Sequence, residues 1–364
     1  MWAVDLFADR DLARVAKCVV CPADVYPDAI PALASQFPPG PVLYTGGLEN
    51  HPRVVAELAA QRELWGNTPD VLERVRDPFV LFPTLADAGF TVPRLVPRGA
   101  PCPTEGRWLR KPLLSGGGRG IRFARPGEAA SAHHYFQEFI DGAPMSAQFV
   151  SDPTAAHPWE TTALNGITEQ LLGEPWLHAA PFAYCGNIGP VELPQLLAAT
   201  LWTSGLRLNQ TVAMRGLWGL DFVLQGETVY PVEVNPRYTA AIEVLELSWH
   251  VSLLWTHCRC FTSSHALAKY KSWQRWDAPV GKAVYYAPYD FRFPAAGPWD
   301  ADLTSPFDPW RVPDFADIPE AGAAIARGHP VLTFFATGST PTEVRERLQS
   351  RAAELDRLFT EAQP

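Results

Sequence analysis

The chain has 364 residues, 30 Lys+Arg against 39 Asp+Glu, a formal net charge of −9 and 47% hydrophobic residues. That composition belongs to a folded chain of two or three units, and an acidic balance without a basic run excludes nucleic acid as a natural partner. No apolar stretch approaches the ~20 residues of a spanning helix, and Met1–Asp5 lacks the basic and apolar regions of a signal peptide, so no membrane partner and a cytoplasmic location are expected.

In chain order, Met1–Phe7 is a short apolar run, Asp9–Ala16 reads as a helix, and Cys18–Val20 and Val42–Tyr44 read as short buried strands. Thr45-Gly46-Gly47 makes a strand-to-helix turn before helical periodicity over Pro52–Leu64. Alternating strands and helices imply a parallel sheet, with ligands near turns such as Tyr44–Asn50. After a Pro-rich connector, Val92–Pro103, come a strand Trp108–Lys111, a Gly-rich loop Pro112–Gly120 and a strand Ile121–Phe123. Tyr135–Ile140 and Ser146–Val150 flank Asp141-Gly142, which predicts a tight hairpin turn. Ser151–Trp159 reads as a loop. Gly216–Leu224 and Val229–Val234 form a second predicted hairpin around Gln225-Gly226-Glu227, and Thr239–Cys258 reads as one long helical region. Gly281–Tyr286 and Val331–Phe335 are strands separated by a Pro/Trp-rich loop. Thr340-Pro-Thr-Glu343 is a capping box opening a last helix.

Six cysteines in a chain this long do not suggest a disulfide framework. Cys18-Val-Val-Cys21 has zinc spacing but no partner pair at matching distance, so two small buried thiols are the expectation.

Three segments carry chemistry. The first is Arg110-Lys111-Pro112-Leu113-Leu114-Ser115-Gly116-Gly117-Gly118-Arg119-Gly120. Consecutive glycines let backbone N–H groups wrap an anion, and a lysine at the end of the preceding strand can reach a phosphate oxygen. Lysine is scarce here (Lys17, Lys111, Lys269, Lys271 and Lys282 are the only five), which makes Lys111 conspicuous. A flexible surface loop would show the same glycines. The loop joins two strands, so it is neither a Walker loop nor a dinucleotide fingerprint. The second segment is Phe136-Gln137-Glu138-Phe139-Ile140-Asp141-Gly142, which alone is only a hairpin. The third is Gly219-Leu220-Asp221-Phe222 with Glu233-Val234-Asn235-Pro236-Arg237. Glu233 and Asn235 share one strand face, and Asp221 on the neighbouring strand can join them in a hard-oxygen site suited to Mg²⁺.

Order and spacing together resemble the ATP-grasp superfamily over about Arg76 to Cys258. The resemblance implies an α/β and α+β chain: an ATP-grasp fold preceded by a shortened Rossmann-like pre-ATP-grasp domain that starts at what corresponds to its second strand. The expected division is 1–80 for that domain, 81–145 for the small lobe with the lid, 146–265 for the large lobe with the metal site, and 266–364 for a C-terminal extension. By the resemblance, Lys111 holds nucleotide phosphates under a lid of Ser115, Gly116, Gly117, Gly118 and Gly120. Gln137, Glu138, Phe139 and Ile140 line the adenine hinge. Asp221, Glu233 and Asn235 hold Mg²⁺, or Mn²⁺ in its place, and Arg237 faces the phosphoryl group in transfer. Glu49, Asn50, Tyr184, Asn187 and Arg215 are candidate substrate contacts. Glu169-Gln170 and His133-His134 are weaker candidates. One departure stands out: where a second phosphate lysine is expected, the chain reads Arg76-Asp77-Pro78.

Tyr44-Thr-Gly-Gly-Leu-Glu49-Asn50, Leu64-Trp-Gly-Asn67, Tyr184-Cys-Gly-Asn187-Ile-Gly-Pro190 and Gly328-His-Pro-Val-Leu-Thr333 resemble a narrower group, the ATP-dependent carboligases of methanogens and C1-metabolising bacteria. The implied activity is an ATP-dependent ligase joining a carboxylate to an amine through an acyl phosphate, in C1-carrier cofactor synthesis, with a homodimer as the expected assembly. Bicarbonate-dependent carboxylation through carboxyphosphate, and non-catalytic nucleotide binding, are the alternatives.

Overall fold

The computed structural model of the chain describes residues 1–155, 157–262 and 278–361. Lys269, Lys271 and the boundary expected at 265/266 lie outside them. At the N-terminus, β1 (Trp2–Asp5) pairs in parallel with β2 (Lys17–Val20). The helix expected over Asp9–Ala16 contracts to α1 (Leu12–Val15). Its first turn is given up to tertiary contacts, because the Asp11 carboxylate accepts the amides of Asp317 and Ile318. The strand expected at Val42–Tyr44 reduces to one parallel bridge between Val42 and Leu64. Next come α2 (Ile30–Ala34), α3 (Pro52–Gln61), α4 (Pro69–Arg76) and α5 (Pro78–Asp87). Three of these open on proline, the residue best suited to a first helical position. Asp77 caps α5 through Oδ1, which accepts the Phe79 amide at 2.9 Å.

Two sheets follow. β3 (Trp108–Pro112), β4 (Arg122–Phe123) and β5 (His134–Glu138) form a small antiparallel sheet in the order β4-β3-β5. β6 (Ala143–Ser151) then enters a different sheet, so the hairpin expected at Asp141-Gly142 is instead a crossing between layers. Each strand finds a longer ladder elsewhere: Trp108 faces Glu138 in the small sheet, while Ala143 faces Leu224 in the large one.

The large sheet gathers β7 (Thr162–Leu172), β8 (Tyr184–Gly189), β9 (Gly216–Gln225) and β10 (Thr228–Asn235) around β6, with α6 (Gln195–Val212) inserted before β9. The long helical region splits into α7 (Ala240–Trp249) and α8 (Leu253–Thr262), because His250 adopts a left-handed φ of 52° and ends the first helix. From the C-terminal part, β11 (Val280–Tyr286) pairs with β8. The expected Pro/Trp loop is partly ordered as β12 (Phe291–Arg292), α9 (Asp300–Thr304), β13 (Phe315–Ala316) and β14 (Ala324–Ile325). β15 (Pro330–Thr337) and the capped α10 (Pro341–Glu361) finish the chain. The sheet order is β10-β9-β6-β7-β8-β11-β15-β13, so the C-terminal strands continue the sheet that carries the Asp221–Glu233 hairpin.

Strand alternation gives this sheet two unlike faces. Met145, Ala147, Phe149, Trp218, Leu220 and Phe222 are buried in a core shared with α5 and α6. The opposite face carries Asp221 level with Ser146 and Glu233, Thr168 level with Ser146, and, a step along, Gln170, Asn187 and Lys282 in register. Farther along the same face, Val150 and Leu217 pack under α7 and α8. A strip of polar side chains therefore crosses the sheet from β10 to β11.

Candidate functional site

Glu233 and Asp221 face each other across β10 and β9, beside a register shift between Pro231 and Glu233. Asp221 Oδ1 accepts from Ser146 Oγ at 2.6 Å, and Oδ2 from Asn235 Nδ2 at 2.9 Å. Burial, with the Glu233 charge added, pushes the Asp221 carboxyl up to about 6. Burial acts the same way on Glu233, but the charges of Arg76 and Lys111 outweigh it and hold that carboxyl below its ordinary value. Two facing carboxylates, one of them strained by the other's charge, are a donor set that a hard cation relieves. Among the described residues no group of three or more His, Cys, Asp or Glu side chains could hold a metal ion. The set is thus two carboxylates with the Asn235 amide, which fits Mg²⁺ completed by phosphate oxygens better than a closed all-protein cage.

Three cations surround this pair. Lys111, buried on β3, directs Nζ to Gln137 Oε1 at 3.1 Å and to the Val232 carbonyl at 3.4 Å. Arg76, at the end of α4, donates Nη1 to Glu233 Oε1 at 2.5 Å and Nη2 to the Ser115 carbonyl at 2.7 Å. A guanidinium thus stands where the Arg76-Asp77-Pro78 departure left the question of a second cation. Arg237 donates Nε and Nη2 to Glu49 Oε1 at 2.9 and 2.8 Å, and Nη1 to the Tyr238 carbonyl at 3.0 Å. Glu49 is 1% exposed. The Trp-Gly-Asn67 segment fixes this arrangement: Asn67 Nδ2 donates to the Pro236 carbonyl at 2.8 Å, and Tyr44 Oη donates to the Asn67 carbonyl at 2.8 Å.

The Gly-rich loop lies across the cleft. The Ser115 carbonyl also accepts Asn50 Nδ2 at 3.4 Å, and the Gly117 carbonyl accepts the Tyr184 amide at 3.0 Å. Beneath the loop, between Arg76, Lys111, Ser115 and Glu233, about 40 Å³ of space remains. That is room for a few waters with the loop in this position.

Other candidates are placed as follows. Tyr184 Oη donates to Asn187 Oδ1 at 2.5 Å, and Asn187 Nδ2 to Thr168 Oγ1 at 2.9 Å, on the polar strip. Gln170 bonds Asp221 and helps to lower its carboxyl, while Glu169 is held by Arg345. On β5, Gln137 meets Lys111, whereas Glu138 projects the other way and pairs with Arg94 at 2.9 Å. Arg215 directs its side chain elsewhere, Nε donating to the Cys260 carbonyl and the guanidinium lying over Phe261, while its amide donates to Asn67 Oδ1 at 2.8 Å. His134 lies beside Arg110 and Ser131. Cys21 is buried in the N-terminal core and Cys18 half-buried.

Sequence reasoning missed Ser146, Thr168 and Lys282, which share the polar face. Lys282 Nζ lies 2.5 Å from Glu243 Oε2 on α7. A signal existed in β6, where Ser146 and Gln148 interrupt Met145, Ala147 and Phe149 with strand period.

A family model described as the ATP-grasp domain matches residues 75–241. No curated protein matches the chain. Among solved structures, the biotin carboxylase domain dimer of Hydrogenobacter thermophilus 2-oxoglutarate carboxylase, in complex with MgADP, ADP and bicarbonate, is similar with a TM-score of 0.69 and 13% identity, over 96% of this chain and 84% of that one. N5-carboxyaminoimidazole ribonucleotide synthetase of Thermus thermophilus is similar with a TM-score of 0.65 and 15% identity, over 98% and 91%. Biotin carboxylase of Campylobacter jejuni follows with 0.64 and 12%, over 89% and 77%. At such identities the likeness speaks for the fold. No helix among the described residues is long and apolar enough to cross a membrane.

Proposed function

From a chain whose residues 75–241 belong to the ATP-grasp domain family, we propose an ATP-dependent ligase that activates a substrate carboxylate as an acyl phosphate and joins it to an amine. The observation that carries this reading is the convergence of Lys111, Arg76, Arg237, Asp221 and Glu233 on one cleft beneath a glycine loop docked against Tyr184.

The γ-phosphoryl of ATP passes to a carboxylate oxygen of the substrate and ADP is left. The amine nitrogen then bonds to the carbonyl carbon, the bond from that carbon to the phosphate oxygen breaks, and phosphate departs with the amine losing a proton. Lys111 neutralises phosphate charge, and Arg76 exchanges Glu233 for phosphate oxygens as the carboxylate is released to the metal set. Gln137, Phe139 and Ile140 lie toward the adenine. Asp221, Glu233 and Asn235 would hold Mg²⁺, which when bound would supply positive charge against the phosphates. Arg237 steadies the oxyanion of the tetrahedral intermediate. The loop Ser115–Gly120 keeps water from the acyl phosphate. Tyr184 and Asn187 contact the carboxylate substrate. The division at 80, 145 and 265, the homodimer and the C1-carrier setting belong to the same proposal.

ADP release across a panel of carboxylates and amines tests it. Substrate-dependent ADP that vanishes in Asp221→Ala and Glu233→Ala is expected, and normal kcat in either variant would sink the metal assignment. Bicarbonate carboxylation is the second reading, favoured by the fold likeness to a carboxylase domain crystallised with bicarbonate. ATP turnover that requires bicarbonate and no other acid would select it.

A further inference from the structure

Among the described residues, three buried polar atoms at the cleft lack a hydrogen-bond partner: Glu49 Oε2, Asn50 Oδ1 and Arg76 Nε. Buried polar groups are nearly always partnered, so such atoms are expensive to leave bare and call for a ligand or a water. Two of the three are acceptors on adjacent residues of the turn Leu48–Asn50. Their orientation is fixed by what their companions do. Arg237 Nε and Nη2 both go to Glu49 Oε1, which leaves Oε2 over. Asn50 Nδ2 donates to the Ser115 carbonyl, and turning the amide over would set two oxygens against each other there, so Oδ1 is left over.

An acceptor pair of which one member is a carboxylate selects against anions. A carboxylate brings no hydrogen to donate, bicarbonate brings a single O–H for two acceptors, and both meet the Glu49 charge. An ammonium group brings three N–H donors and the opposite charge. The turn also contacts two parts of the cleft: Glu49 holds Arg237, and Asn50 holds the loop at Ser115. We infer that Glu49 Oε2 and Asn50 Oδ1 form the subsite that receives the amine substrate as its ammonium, occupied before the loop closes, with Glu49 Oε2 accepting one ammonium proton before the nitrogen attacks and the second leaving with the departing phosphate. This rests on the ligase reading above. It gives the N-terminal block a share in choosing the nucleophile, since Glu49 and Asn50 precede the segment matched to the ATP-grasp domain.

The test is binding, read by thermal shift and calorimetry on the full chain loaded with Mg²⁺ and a non-hydrolysable ATP analogue. The probes are ammonium, methylamine, ethanolamine, putrescine and the twenty amino acids, each organic probe paired with its N-acetyl derivative. At least one free amine is expected to bind while its acetylated partner does not. Glu49→Gln weakens that binding about tenfold or more, as expected when a charge-assisted acceptor is lost. Asn50→Ala, which leaves the Arg237 pair untouched, weakens it too and serves if Glu49→Gln fails to fold. Amine affinity is compared at saturating analogue in each variant, so that any change in nucleotide binding is separated from the loss of the amine. Equal binding of the acetylated probe, unchanged amine affinity in the variants, or no amine bound by the analogue-loaded wild type overturns the subsite. Failure of the wild type to bind the analogue would instead overturn the ligase reading.

Discussion

Two glycine turns bound the cleft and are joined by a hydrogen bond from Asn50 Nδ2 to the Ser115 carbonyl, yet they are built in opposite ways. The turn ahead of Glu49 is locked from within. Gly47 has a φ of +100°, and a Cβ there would lie 2.5 Å from Tyr26 Oη. Leu48 and Tyr44 belong to the N-terminal core, and Asn67 ties that core to Pro236. The loop over the phosphate side is open at Gly116 and Gly117. A Cβ at Gly116 or Gly117 would find no atom within 4 Å, and the loop is held mainly by the Ser115 and Gly117 carbonyls. The stiff side positions Glu49 against Arg237. The loosely held side is the part that can lift, since few contacts must break for it to do so.

The largest effect is expected where the loose side touches the body. A Cβ at Gly118 would lie 1.8 Å from the Phe182 carbonyl oxygen, at a φ of +75°. Backbone cannot yield as a side-chain tip can. Gly118→Ala therefore prevents the loop from seating, and ADP release falls by about 10²-fold, the usual scale when a closing element is misplaced. Exchange of the Tyr184 amide, which the Gly117 carbonyl protects, speeds up in parallel. Gly116→Ala, with open space around it, stays within about twofold of wild type. Equal losses in the two variants would erase the distinction between seating and floppiness.

On the stiff side, Gly47→Ala acts through stability. The left-handed φ and the approach to Tyr26 Oη together cost about 1–3 kcal/mol in denaturant unfolding. Adding Tyr26→Phe removes the oxygen and restores the steric part, leaving the backbone part. A double variant no better than Gly47→Ala would show that Tyr26 does not define the turn.

The same contrast explains what was legible in the sequence. Asp221, Glu233 and Asn235 announce themselves because strand spacing puts them on a common face, Lys111 by its scarcity and its place before the glycine loop, and Arg237 by the family resemblance; the structure brings them to one cleft. The glycine loop announces itself by composition. What the chain pattern could not show is pairing at a distance. Nothing local says that β5 and β6 part into separate sheets, that β11 and β15 extend the large sheet, or that Arg76 reaches Glu233 across 157 positions. Helix breaks fail for another reason. His250 in the left-handed region carries no glycine or proline signal, so periodicity ran on through it.

The smallest expected effect concerns how the stiff side is anchored to the C-terminal part. The Arg10 amide donates to the Ile318 carbonyl, and Asp11 accepts the amides of Asp317 and Ile318. Beside this contact, burial first, then the charges of Asp317, Asp11 and Asp5, push the Asp9 carboxyl up to about 7. A carboxyl raised on folding binds more protons folded than unfolded between its ordinary value and 7, so stability is gained as pH falls through 7 and lost as pH rises through it. Because Asp9 is half-exposed, the gain is screened, and about 1–3 °C in Tm between pH 8 and pH 5.5 is expected, with acid effects elsewhere subtracted through a variant. Asp9→Asn is that variant: it raises Tm at pH 8 and flattens the difference. Tyr184 amide exchange, a property of the loosely held side, is unmoved by it. An Asp9→Asn protein with the wild-type pH slope would remove Asp9 from the anchor. A variant that also changed Tyr184 exchange would show that the two sides of the cleft are mechanically joined after all.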